Sequence, residues 1–205
     1  MPLRIFPEDD RILDLLADMA GQVNESARCC SELLGSDDDH VDQVLEEARA
    51  VDARTADLYF SAMTTSRSSY VLPIPRSDVY VLSGWLARAC ESLLLAAEAM
   101  AEPAMRRQSK HTTEQLNTIG RMANLSVRAM HNLSDLEGLD EYWFDMFRLR
   151  KQADRTFELH RLDLLDKHKP AVALKRTIMV EHLHNCTRAL SQLATEVGRI
   201  VVAET

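Results

Sequence analysis

Glycine and proline are scarce in this chain, at six each in 205 residues, and aromatic side chains make up only 5 %. A sequence so poor in turn-formers leaves room for long uninterrupted helices. Its abundant Leu, Ala and Met lose little rotamer freedom in a helix. Cysteine is also rare. Cys29 and Cys30 are neighbours, Cys90 and Cys186 stand alone, and no CxxC pair exists. Adjacent helical residues point about 100° apart and suit no bridge, so the four thiols read as small core hydrophobes in a reducing compartment. A basic excess is missing too: 24 Lys and Arg face 32 Asp and Glu, for a formal charge of −8. Nucleic-acid binders need the opposite balance to displace counterions, so none is expected as a partner, although Arg148, Arg150 and Lys151 form a local basic patch. No apolar run approaches the roughly 20 residues needed to span a bilayer. The longest, near Leu93 to Met100, contains Glu98, and the opening MPLRIFPEDD lacks the apolar stretch of a secretory signal. A cytoplasmic location is expected. The sequence also lacks GxGxxG, P-loop and GxSxG motifs.

What is present is apolar periodicity. Six segments repeat apolar residues every three or four positions, the seam of helices packed nearly parallel to their neighbours. The first runs through Ile12, Leu16, Met19, Val23, Cys30 and Leu34, and the second through Val41, Val44, Ala48, Val51, Thr55, Leu58 and Ala62. The third carries Val79, Leu82, Leu86, Ala89, Leu93, Ala96 and Met100, and the fourth Leu116, Ile119, Ala123, Val127, Met130 and Leu133. The fifth is less regular, with Trp143, Phe147, Ala153, Phe157 and Leu164; the sixth carries Met179, Leu183, Cys186, Leu190, Leu193, Val197 and Val201. Breaks fall between them. Gly35 to Asp39 ends one helix and caps the next. Thr64 to Ser69 is polar, Pro73 and Pro75 forbid helix, and Ser77 or Asp78 is placed to cap the third. Pro103 should stop helix three, Gly138 and Asp140 part helices four and five, and Pro170 introduces helix six.

The order carries a faint internal repeat. Met19-Ala20 returns as Met122-Ala123, 103 residues on, and Asp52 with Arg54-Thr55 returns as Asp154 with Arg155-Thr156, 102 on. Cys90 and Cys186 sit at similar depths in helices three and six. The expectation is an all-α fold of six long antiparallel helices. It forms a single domain over residues 1–205, made of two tandem three-helix bundles, about 8–102 and 108–203.

From Tyr70 to Leu86 the sequence reads YVLPIPRSDVYVLSGWL. This resembles the link between the second and third helices of PhoU-like proteins, often encoded beside low-affinity (Pit) phosphate transporters, with Pro73, Ile74, Arg76, Asp78 and Val79 in the motif's places. The segment from Gln152 to Leu165, the GRIVV ending of the last helix, the length and the helix order are also similar. The resemblance implies a non-enzymatic accessory protein in phosphate transport regulation. It would act with a Pit-type permease at the cytoplasmic membrane face, without catalytic residues, and a homo-oligomeric state is compatible with it. The linker also makes physical sense alone: two prolines stiffen an extended connection, and Asp78 suits the positive end of the next helix.

The same resemblance implies metal sites built from acids four residues apart, on one helix face. Here that pattern is broken. Asp52, Glu91 and Asp154 occupy acidic positions, but Arg150, His184 and Arg188 stand where further acids would be, and Ala87 or Arg88 fills the earlier one in helix three. Two readings follow. An arginine replaces the ion by bridging a carboxylate, or one residual divalent or iron-type metal site survives on Asp52 and Glu91, with His184 as a candidate third ligand. The second reading leads to the alternative of a metal-binding or metal-dependent helical-bundle protein. Glu181 and His184 form one Glu-x-x-His, the element di-iron bundles use twice, and no second copy exists. His111, His131, His160 and His168 read as surface or cap residues, and the methionines as core.

Overall fold

In a computed structural model of the protein, the described residues are 10–102, 105, 109–136 and 138–204. They form six helices and no strand: α1 (Arg11–Leu33), α2 (Asp38–Ser68), α3 (Arg76–Met100), α4 (Lys110–His131), α5 (Leu139–Lys167) and α6 (Pro170–Glu204). The six apolar segments of the sequence each correspond to one of these helices.

Helix ends follow local chemistry. Asp37 is the extended residue before α2, and Asp38 and Asp39 place negative charge on its first turn. Pro170 opens α6, where its missing N–H costs nothing. The link into α5 turns through Leu136 and Gly138, both left-handed (φ 57° and 77°). Glycine adopts this freely, whereas Leu136 is held there by packing against the core. Two expected boundaries move. The polar run from Thr64 does not end α2, which continues to Ser68; Ser66 is buried, and Ser68 Oγ donates to the Thr64 carbonyl. Helix α3 begins at Arg76 behind Pro75, so neither Ser77 nor Asp78 is its cap. It also ends at Met100, and Pro103 lies outside the described residues.

In chain order the helices make two trios, and each pair of helices that joins the trios packs as extensively as any pair within them. Helices α1, α2 and α3 pack on one another, as do α4, α5 and α6, and the trios join through α1 with α4 and α3 with α6. Both joints are antiparallel. Asp14 lies near His131 while Asn24 bonds Asn124 at 2.9 Å, and Asp78 pairs with Arg199 while Glu102 pairs with Lys175. The four joining helices therefore form the centre, with α2 and α5 on the outside.

By length and composition α3 could cross a bilayer. That average runs over interruptions that end every individual apolar run. Half of its most apolar stretch is buried, and α3 packs against α1, α2 and α6, as a core helix does. All four cysteines are free and buried. The Cys30 thiol donates to the Leu93 carbonyl at 3.4 Å, and burial pushes the Cys90 thiol up to about 11. One expected core stripe is corrected: Trp143 and Phe147 of α5 are exposed, and the buried side is Tyr142, Met146, Leu149, Ala153, Phe157 and Leu164.

The linker charges each close a helix end. Arg76 donates from Nε to the Ser66 carbonyl at 2.8 Å and from Nη2 to the Ser69 carbonyl at 2.7 Å, and so closes the C-terminal end of α2. Asp78 is buried and accepts from Arg199 of α6. Replacing Asp78 by alanine removes a charge-assisted bond at the α3–α6 joint. The expected loss is about 2 kcal/mol, read as a lower urea midpoint with unchanged slope, and Arg199→Ala added to it should cost little more.

Candidate functional site

The sequence-selected residues divide between the two trios. Asp52 of α2 and Glu91 of α3 line an open groove of about 420 Å³ with Thr55, Tyr59 and Arg88. Burial, then the neighbouring Glu91 and Glu98 carboxylates, raise the Asp52 carboxyl above its ordinary value. Asp154 of α5 and His184 of α6 form the other pair, with 3.9 Å between Asp154 Oδ1 and His184 Nε2. His184 lies flat on Phe157, ring centroids 4.0 Å apart and planes 6° apart. Burial lowers its tendency to protonate, Asp154 opposes that, and Arg188 adds to it.

These four residues do not converge. No contact joins α2 to α5 or α6, or α3 to α5, among the described residues; Asp52 and Glu91 share the α2–α3 groove, while His184 faces Asp154 and Phe157 of α5. The expected site on Asp52, Glu91 and His184 is therefore not assembled. No group of three or more His, Cys, Asp or Glu among the described residues is placed to hold a metal ion. Two carboxylates beside Arg88 are too few for iron or zinc, which take four or more protein ligands in closed sites, and Arg88 repels any cation. The donor set does not fit a resident metal centre. Nor does arginine replace the ion by a buried bridge: Arg150 Nε is 3.7 Å from Asp154 Oδ2 with both side chains about half exposed, a pair worth little.

A further polar cluster is not evident from the sequence. His111 and His160, expected at the surface, are buried. His111 Nε2 faces Asp163 Oδ2 at 3.2 Å, His160 Nδ1 faces Gln115 Oε1 at 3.4 Å, and the two rings are 5.4 Å apart. Burial and the neighbouring His111 press the His160 imidazole down to about 4. The register of His160 with Phe157 and Leu164 is the one signal in the sequence, and histidine at such positions is common on surfaces as well. His111 Nδ1 and Gln115 Nε2 are buried without a hydrogen-bond partner.

No protein-family model matches the chain, and no curated protein matches it.

Two titration outcomes follow. A carboxyl raised in the fold opposes folding once ionised, because the unfolded chain releases that proton more easily. Asp52→Asn should thus raise the melting temperature at pH 7, with the gain fading as acid protonates the wild-type side chain. His160 acts at lower pH. The unfolded imidazole takes a proton near 6.5 while the folded one resists until about 4, so stability falls across that interval on acidification. Melting curves of His160→Gln should show a shallower fall there than the wild type.

Proposed function

We propose that this protein is a non-enzymatic accessory protein of inorganic phosphate transport, similar to PhoU-like proteins, acting with a Pit-type permease at the cytoplasmic membrane face. The observation that carries the reading is the Pro73–Asp78 link. The residues on which the resemblance rests each serve the bundle, since Ile74 is buried, Arg76 closes α2, and Asp78 ties α3 to α6. The pairing of two helix trios through α1–α4 and α3–α6 agrees with a duplicated three-helix unit. Such a protein works through its helix faces and needs no reacting groups. The reading of a metal-dependent bundle is supported only by the Asp52–Glu91 pair. Elemental analysis of protein purified without added metal decides it, since a stoichiometric transition metal would favour that reading.

The accessory role is tested by a bacterial two-hybrid assay or pull-down against the phosphate permease encoded nearest the gene. Contact is expected. Its absence in both assays, with folded protein and expressed permease, would remove the proposal.

A further inference from the structure

Helix α5 has two apolar faces, and the bundle uses one. Around the opposite side, at spacings of three and four, stand Phe144, Phe147, Leu159, Leu162 and Leu165, all exposed, with Lys151 and Arg155 between them. Phe144 and Leu162 each keep 62 % of their surface in solvent and Leu165 67 %. The antiparallel neighbour extends this surface. Arg176 meets His168, and His184 meets Asp154, which sets exposed Leu174 and Ile178 at the height of Leu165 and Leu162. Of 14 exposed large hydrophobic residues among those described, nine lie on α5 and α6. Single exposed leucines are ordinary, but a patch of them along one helix hairpin marks a binding face.

Charge at the centre of the stripe points to the occupant. Although the chain carries −8 overall, Arg148, Lys151 and Arg155 cluster there, with Glu158 and the half-exposed Asp154 beside them and Asp140 and Asp166 toward the ends. Arg148 is shared with Asp145 at 3.3 Å, whereas Arg155 has no ion-pair partner among the described residues. Lys151 Nζ sits 4.5 Å from the centre of the Phe147 ring, which stacks on exposed Trp143 at 5.8 Å. Cations, an indole and leucines on one helix face suit the boundary between anionic headgroups and acyl chains.

We propose that the outward face of α5, with Leu174 and Ile178 of α6, docks on a bilayer surface containing anionic phospholipid. The inference does not rest on the permease reading, because lipid vesicles contain no protein. The test is co-sedimentation of the purified protein with phosphatidylcholine vesicles, with and without phosphatidylglycerol. Pelleting is expected only with the anionic vesicles and should weaken with salt. Lys151→Gln and Arg155→Gln should each lower partitioning about fivefold. Leu162→Ser and Leu165→Ser should lower it as well, with the circular-dichroism melt unchanged because both side chains are exposed. The proposal is overturned if the wild type stays in the supernatant, or if it binds neutral vesicles equally well. It is also overturned if Leu162→Ser abolishes self-association in sedimentation velocity while no vesicle is bound.

Discussion

Helices α3 and α6 lie against each other over most of their length, and the rest of the bundle leans on that pair. Both helices carry small buried residues: Ala89, Cys90, Ala96 and Ala97 on α3, with Cys186 and Ala189 on α6. Interiors packed to this density tolerate little change in volume, so the thiols serve as compact apolar groups. Ion pairs then fix the register at both ends, Asp78 with Arg199 and Glu102 with Lys175. The buried one restrains sliding most, because separating it would leave Asp78 charged in a dry site.

That central joint also decides what the acidic residues can do. It holds the Asp52–Glu91 pair of α2 and α3 apart from the Asp154–His184 pair of α5 and α6. Asp52 and Glu91 raise the local negative potential without the further donors a metal needs. Asp154 and His184 are screened by Arg150 and Arg188. Both proposals for the protein's role concern its surfaces.

Helix α5 shows how a second use of a helix blurs its sequence. Its buried stripe and its outward stripe are both apolar, so their periodicities overlap and the pattern looks irregular. Trp143 and Phe147 fit an expected core stripe because large aromatics are usually well buried. They belong to the outer face, next to Lys151 and Gly198, whose missing side chain lets α6 approach the Trp143 indole.

Six helices, most of their ends and the burial of five of their stripes are legible in the chain alone. Those features depend on spacing within one segment and on residues such as Pro170, Gly138 and Asp37. Asp78 and Arg76 also stand out as special without any coordinates. Their partners, Arg199 and the end of α2, do not, since those contacts depend on which helices pack together. The same holds for His111 and His160, whose burial needs α4 and α5 side by side, and for the separation of Asp52 and Glu91 from Asp154 and His184. Periodicity reports which side of a helix is apolar. The packing of one helix on another settles which apolar side is covered and which charged groups meet.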